Sequence, residues 1–338
     1  MVSVSIITSA HNEQEHLEAA ISSVLRQTLR DWEWVIVDDG STDGTWEILA
    51  RWAEREGRIR LLRNERREGL SRSLNKAISA SSGPYLARMD ADDLCRPDRL
   101  RRQWGFLEKN PSVGVVGSFN HVLDPEGKVL ETWRFQHTPE EIHYTLQFQN
   151  CLCHSSVMLR RELLEDVGLY REDLTAAQDY DLWLRASHRT ALYKIPEPLV
   201  SWRLRPGGVS VERRGEQTRL ARQIALANLG RLVGEEVPPG FLATVLGREI
   251  PRGAEERSAF FGLLERVHRA MTGSAPQGVD RERLAGLCRH RTRVLEMAFL
   301  WRGGPRERYL GFASRAILQP RLLAEVRHHL RRAKWTLG

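Results

Sequence analysis

Cysteine is scarce in this chain. Among 338 residues there are four, Cys95, Cys151, Cys153 and Cys288. None forms a CxxC pair, so neither a disulfide framework nor a zinc ribbon is indicated. Long apolar runs are missing too: nothing approaches the roughly 18 consecutive apolar residues of a membrane-spanning helix. The opening residues, MVSVSIITSA, enter an apolar strand without the basic start and small-residue cleavage site of a secretory signal. A reduced, cytoplasmic setting is therefore expected. No GxGxxG follows the first strand and no GxxxxGK(S/T) occurs anywhere, which removes the main support for a dinucleotide fold or a P-loop. Internal repeats and low-complexity tracts are also lacking. What is present, 41% hydrophobic and 28% charged residues, is the composition of a globular protein. The length suits one large domain or two ordinary ones.

Charge is unevenly spread. Residues 211–338 carry 24 Lys and Arg against 13 Asp and Glu, whereas residues 1–210 carry 27 against 31. The overall balance of +7 therefore belongs to one, arginine-rich end. Such an excess suits an anionic membrane surface, an anionic acceptor or nucleic acid, and equally a solvated helical surface.

The first half alternates strand and helix patterns. VSVSIITSA, WEWVIVDD, RIRLLRN and PYLARMDADD read as strands. Between them, Leu17, Ala20, Ile21, Val24 and Leu25, then Trp46, Leu49, Ala50 and Ala53, then Leu70, Leu74, Ala77 and Ile78 mark helical faces. Asn12 and Glu15 have the spacing of a capping box. Strands separated by helices of this length imply βαβ units and a parallel sheet. A helix over about 97–109 leads to the strand VGVVGS, DPEG reads as a hairpin turn, and TPEE as a capped helix start with proline first. SVMLRRELLEDVG reads as strand then helix, QDYDLWLRAS as a helix and YKIPEPLVSWRL as extended chain. Beyond Ser210 only helical spacings persist, so two regions are expected: 1–210 and a helical 211–338.

In an open parallel sheet, ligands bind beyond the carboxyl ends of the strands. TSAHNE, DDGSTDGT and DADD fall at such ends. Along a continuing strand Asp90 and Asp92 would project to one face, and paired carboxylates disfavour joint ionisation without a cation. All-oxygen ligands suit Mg2+ or Mn2+, which completes its shell from substrate phosphates. The plainer alternative is an acidic loop in which Asp93 or Asp98 caps the helix near Pro97. In DDGSTDGT, Ser41, Thr42 or Asp43 reads as a cap and Gly40 and Gly44 as turn residues. That leaves Asp38 and Asp39, acids suited to a ribose hydroxyl or a base N–H. Cys151, Cys153 and His154 lack a second pair of zinc ligands at suitable spacing.

VSIITSAHNE, VIVDDGSTDGT, REGLSRSLNKAI, ARMDADD and AQDYDLWLR occur in the order and approximate spacing of family 2 glycosyltransferases, which residues 1 to about 210 resemble. The resemblance implies an α/β GT-A fold, Rossmann-like, with a mostly parallel sheet flanked by helices. It makes 1–210 the catalytic domain and leaves 211–338 an arginine-rich helical C-terminal region. It implies inverting, metal-dependent sugar transfer from a nucleotide-sugar, typically a UDP-sugar, to an acceptor hydroxyl in polysaccharide or glycolipid synthesis. Ser9, Ala10, Glu13, Asp38, Asp39, Gly69, Ser71 and Asn75 then fall on the nucleotide side. Asp90 falls near the ribose or transferred sugar, and Asp92 on Mg2+ or Mn2+. Asp179 becomes the base, while His154 and Trp183 become acceptor contacts, although core burial suits Trp183 better.

Two positions depart from the family pattern. Gln178 stands where a Glu is usual, which loses a charge but keeps size. Arg205 stands where a His is usual; arginine cannot ligate a cation, so Arg205, with Arg203, is expected to bind the leaving diphosphate. These departures leave open a catalytically inactive nucleotide-sugar-binding module, and acidic pairs on an α/β sheet also serve sugar-phosphate nucleotidyltransferases. A saccharide or lipid-linked acceptor is expected as partner and no specific nucleic acid. The C-terminal region, with Leu322, Leu323, Val326 and Leu330 at helical spacing, suits a peripheral membrane surface, the catalytic domain or a second subunit.

Overall fold

The computed structural model of the chain describes residues 2–204 and 214–303. Four parallel strands form its first half: β1 (Val4–Ala10), β2 (Trp32–Asp38), β3 (Ile59–Arg63) and β4 (Tyr85–Arg88). Between them lie α1 (Leu17–Leu25), α2 (Thr45–Arg55) and α3 (Leu70–Ala80). β1 and β2 are apolar on both faces, and Ile6, Ile7, Trp34, Val35, Ile36 and Val37 are buried, as befits central strands covered on each side. The second half adds β5 (Leu94–Cys95), α4 (Arg99–Lys109), β6 (Val113–Leu123), β7 (Val129–Trp133) and α5 (Pro139–Leu146). After a 3-10 turn at His154–Ser156 come β8 (Met158–Arg160), α6 (Leu163–Val167), α7 (Gln178–Ser187) and β9 (Ala191–Arg203).

The described strands make one nine-stranded sheet in the order β3-β2-β1-β4-β8-β6-β9-β5, with β7 on β6. β8 runs antiparallel to both β4 and β6, and β9 runs parallel to β6. The sheet is thus parallel on one side and mixed on the other, and the acidic turn after β4 lies between the two halves.

Several expectations hold in detail. The DPEG turn joins antiparallel β6 and β7, with Gly127 at φ +90°. At α5 the capping box is reciprocal: Glu141 N–H donates to Thr138 Oγ1 and Thr138 N–H to Glu141, each at 3.3 Å. Three local readings are corrected. α1 begins only at Leu17, so Asn12 and Glu15 form no capping box. Asn12 instead adopts φ +56° and accepts from Thr42 N–H at 2.9 Å, a bond between loops that outcompetes a local cap. β4 ends at Arg88, before the acids, because the chain turns there; strand alternation therefore does not govern Asp90 and Asp92. Asp98 precedes α4 without a side-chain cap, its carboxylate being held by Arg96 at 2.6 and 2.7 Å.

Buried polar bonds fix where the acidic turn starts. Trp34 Nε1 on β2 donates to Thr8 Oγ1 on β1 at 2.9 Å, and Thr8 donates onward to the Met89 carbonyl at 2.8 Å. Arg99, fully enclosed, donates to the Arg88 carbonyl at 2.7 Å and to Gln103 at 3.0 Å. The ends of β4 and α4 are thereby tied together, a long cation replacing a backbone pairing that the turn forgoes.

By contacts the chain divides into two units. The first comprises residues 1–146, 150–221 and 276–279; the second comprises 147–149, 222–275 and 280–338. Taken by itself, the second is helical, drawing on α8 (Arg214–Val233), α9 (Pro239–Val245), α10 (Gly253–Gly273) and α11 (Arg281–Gly303). Its core includes Phe241, Phe260, Leu264, Val267 and Phe299, with Phe260 packed 5.3 Å from Phe241 and 5.6 Å from Phe299. Among the described residues no helix is long and apolar enough to cross a membrane. Leu322 and its neighbours lie outside them.

Gly40 illustrates how tightly the strand-end loops meet. At φ +66°, a Cβ there would stand 2.7 Å from the Arg66 carbonyl carbon and 2.7 Å from the Arg67 nitrogen. Both are backbone atoms that cannot swing aside. Gly40→Ala is expected to cost about 2–4 kcal/mol, combining left-handed strain with overpacking, in chemical denaturation.

Candidate active site

The loops after β1 and β2 are laced together by side chains. Asn12 N–H donates to Ser41 Oγ at 3.1 Å, Glu13 N–H to Thr45 Oγ1 at 2.7 Å and Gln14 N–H to Asp43 at 3.2 Å. Gly44 N–H returns to Gln14 Oε1 at 2.8 Å. The DDGSTDGT hydroxyls and carboxylate therefore satisfy loop amides as much as a helix end. Ser9 and Ala10 close β1 opposite Val37 and Asp38, and the Ala10 carbonyl accepts from Asp39 N–H at 2.8 Å.

Asp38 and Asp39 are both buried but differently partnered. Asp38 faces Arg63 Nε at 3.2 Å, and that guanidinium stacks on Trp46. Asp39 accepts from Asn64 Nδ2 at 2.8 Å, Glu68 N–H at 2.8 Å and Gly69 N–H at 2.9 Å. Burial pushes its carboxyl up, but these donors outweigh burial and hold it below the ordinary value of 3.8. The Ser73 hydroxyl is a fourth donor to Asp39, so the roughly four lone-pair sites of its carboxylate are met by protein groups. Gly69, at φ +98°, reaches this position with a backbone that other residues rarely adopt. Near it, Ser71 Oγ is buried with no hydrogen bond among the described residues.

Asn75 behaves otherwise than a nucleotide contact. Its amide donates to the Tyr170 carbonyl at 2.9 Å and Glu172 at 3.1 Å, and accepts from Tyr170 N–H at 3.1 Å. Its hydrogen-bonding capacity goes to anchoring the segment ahead of α7.

In the acidic turn, the three carboxylates have separate fates. Asp90 is gripped on one oxygen by Arg88 Nη2 and on the other by Ser155 Oγ. Burial acts to raise it, but the Arg88 cation and the Ser155 hydroxyl prevail and hold it below the ordinary range. Asp93 is fully enclosed, accepts from Arg203 N–H at 2.9 Å, and sits well above the ordinary range because of burial and of Asp92 and Asp90 beside it. It is thus a buried link to β9, not a helix cap. Asp92 is half-buried, and its carbonyl accepts from Arg203 Nε at 3.2 Å.

The turn suits a hard divalent cation. Its donors are all oxygen, and Asp93 registers an excess of negative charge that a cation would offset. No three His, Cys, Asp or Glu side chains among the described residues converge to hold an ion by themselves. One carboxylate with substrate oxygens is the arrangement Mg2+ or Mn2+ tolerates. Both Asp90 oxygens are engaged by protein groups.

Arg203 departs from its expected place on phosphate. Its Nε goes to the Asp92 carbonyl and its Nη1 to the Pro125 carbonyl at 2.7 Å, so it clasps backbone instead. Arg205 lies outside the described residues.

Asp179 lies in the first turn of α7, where the helix dipole favours a carboxylate. Burial raises its carboxyl above the ordinary range against the Tyr180 N–H and Asn150 Nδ2, the latter at 2.8 Å. Just before α7, Ala177 is left-handed at φ +56°, strain that marks this helix start as over-determined. Buried Gln178 opens the helix. His154 Nε2 lies 2.9 Å from the Tyr170 hydroxyl, and burial lowers its pKa to about 3, so it is neutral. Trp183 is corrected: it is fully buried, with its ring 6.0 Å from His154, and has no face open to a sugar.

Two groups tie the acidic turn to α7. Arg88 and Tyr170 each lie within electrostatic reach of both Asp90 and Asp179. Arg88, Asn150, Ser155 and Tyr170 escaped the sequence reading. Only Arg88 left a signal there, as a charged residue at the end of an apolar strand.

This arrangement, a parallel half-sheet with an acidic turn at its junction with a mixed half, is the GT-A glycosyltransferase fold. The solved structure of S. aureus TarS 1–349 in complex with UDP-GlcNAc has the same fold, with a TM-score of 0.57 over 90% of this chain and 93% of that one at 15% identity. The chain matches the model of Glycosyl transferase family 2 over residues 5–168. It is 33% identical over 220 residues to the putative glycosyltransferase EpsE of Bacillus subtilis, covering 62% of this chain and 78% of the relative. It is 30% identical over 210 residues to the putative teichuronic acid biosynthesis glycosyltransferase TuaG of the same organism, covering 61% and 81%. The chain belongs to glycosyl transferase family 2 and is a glycosyltransferase.

Asp39→Ala removes the acceptor for two backbone amides and is expected to cost about 2–4 kcal/mol in denaturant titrations. Because Asp39 is held below 3.8, its contribution is present above that pH and lost as pH falls through the lower folded value. Wild type should therefore lose more stability below pH 3.8 than Asp39→Ala; parallel acid profiles would refute this.

Proposed function

We propose that the chain is an inverting transferase, residues 1–210 forming its catalytic domain, which moves a sugar from a nucleotide-sugar to an acceptor hydroxyl. The observation that carries this reading is the neighbourhood of Asp179. A carboxylate made more basic by burial stands at a helix start, sharing Arg88 and Tyr170 with the acidic turn. Asp179 takes the acceptor proton as the hydroxyl oxygen attacks the anomeric carbon from the face opposite the nucleotide. The new carbon–oxygen bond forms as the bond to the diphosphate breaks, and configuration inverts.

The donor side is read from the strand ends. Asp39, held in place by Asn64, Ser73 and two loop amides, lines the base and ribose side with Ser9, Ala10, Glu13, Asp38, Gly69 and Ser71. Asp90 faces the ribose or sugar in an orientation set by Arg88 and Ser155. A divalent cation on Asp92, Mg2+ or Mn2+, supplies charge neutralisation for the diphosphate. A UDP-sugar is the preferred donor on the motif pattern, and UDP-GlcNAc in a protein of the same fold is in keeping with it. A polysaccharide or lipid-linked acceptor follows the role named for TuaG, with His154 on the acceptor side and a cytoplasmic setting beside membranes.

Asp179→Asn is expected to lower kcat by about 10²–10⁴-fold while UDP affinity, measured by calorimetry, stays at the wild-type level. Retained transfer would refute the base. Asp92→Asn should abolish the extra thermal stabilisation that Mn2+ adds to UDP; equal stabilisation in both proteins would remove Asp92 from the metal.

A further inference from the structure

Asn150 lies in the irregular stretch between α5 and the 3-10 turn at His154–Ser156, and that stretch is held at two points. The Tyr180 hydroxyl of α7 donates to the Leu146 carbonyl at 2.8 Å, and buried Lys194 Nζ of β9 donates to the Cys151 carbonyl at 2.5 Å. Within it the Asn150 side chain uses both ends of its amide. Oδ1 accepts from Leu152 N–H at 3.0 Å, and Nδ2 donates to Asp179 Oδ2 at 2.8 Å. A backbone N–H can only donate, so the oxygen must face Leu152 and the nitrogen Asp179. Among the described residues no other side chain donates a hydrogen bond to the Asp179 carboxylate. The Tyr180 N–H of its own helix also meets it, with Tyr170 and Arg88 in electrostatic reach. Asp181, one turn-position on, is paired with Arg185 at 2.8 Å. A turn alone would not need an amide, because an aspartate would accept from Leu152 N–H equally well. What asparagine adds is an N–H that meets a carboxylate, where an aspartate would set two like charges against each other.

We propose that Asn150 is a positioning residue for the reaction: its amide, aimed by Leu152 N–H, grips Oδ2 of Asp179 and fixes the direction in which the base faces the acceptor hydroxyl. The inference rests on Asp179 being the base. It goes further in naming the group that holds that base in place before an acceptor arrives. The donated bond also favours the ionised carboxylate over the protonated one. Its loss moves the titration of Asp179 to higher pH, and a protonated Asp179 cannot take a proton.

The test sets Asn150→Asp, which keeps the acceptor for Leu152 N–H, beside Asn150→Ala, which removes both ends of the amide. Asp179 is titrated by carboxyl-carbon NMR in the full chain and assigned with Asp179→Asn. In Asn150→Ala its midpoint should rise by roughly one pH unit. In Asn150→Asp the two carboxylates should titrate as a coupled pair, the upper midpoint roughly two units above that of wild-type Asp179. In both variants kcat for UDP-GlcNAc hydrolysis with Mn2+ should fall on the order of 10- to 100-fold at neutral pH while KM is kept. A residue that only formed a turn would behave otherwise: Asn150→Asp would match wild type in midpoint and kcat, and Asn150→Ala would lose melting temperature alone. That result overturns the proposal, and either variant decides it if the other does not fold. Hydrolysis retained in Asp179→Asn overturns the base and this role with it. Hydrolysis lost there, with midpoints unmoved in the Asn150 variants, overturns Asn150 alone.

Discussion

Three carboxylates lie within one turn between β4 and β5, and like charges so close must each be balanced or neutralised. Arg88 balances Asp90 from inside the sheet, Arg203 fixes Asp93 through its backbone N–H, and Arg99 holds the carbonyl on which the turn begins. These three arginines are all buried. The basic surplus of the arginine-rich end is a separate matter. Asp90 is met by the cation of β4 and Asp93 by a backbone N–H of β9, while α4 holds the carbonyl before them.

From that balance follows a division of labour. Asp90, doubly bonded, has its orientation set by protein. Asp93, enclosed and raised, serves to join the turn to β9. Asp92 is half-buried, and on the reading proposed above a metal and a diphosphate complete the neutralisation there. The strand-end loops after β1 and β2 show the same pattern: the Ser41 and Thr45 hydroxyls and the Asp43 carboxylate fasten Asn12, Glu13 and Gln14, so these loops are shaped by bonds within the protein. Preorganised polar groups of this kind need no rearrangement when charge develops.

The departures from the family pattern look milder in this setting. Gln178 is buried at the start of α7, where a neutral side chain avoids a second carboxylate beside the raised Asp179. Arg203 is spent on carbonyls of the acidic turn and of the β6–β7 turn. Its Nε and Nη1 therefore brace the backbone of both turns. Asn75 likewise turned from ligand contact to anchor, because its amide matches the Tyr170 backbone across 95 residues of chain.

By itself the sequence determined the alternation of strands and helices, the positions of the acidic clusters at strand ends and the capping box of α5. These depend on local periodicity, turn chemistry and capping, which neighbours in the chain dictate. Tertiary structure alone decided that β4 stops at Arg88, that Asn12 bonds Thr42 instead of capping α1, and that Trp183 is sealed in the core. It also brought Arg88, Ser155, Asn150 and Tyr170 to the carboxylates from separate segments. Such partners leave little trace in the chain, because a bond between distant residues has no period to read. MDADD announced a concentration of charge, and only the fold could show that a guanidinium answers Asp90 and a backbone N–H answers Asp93.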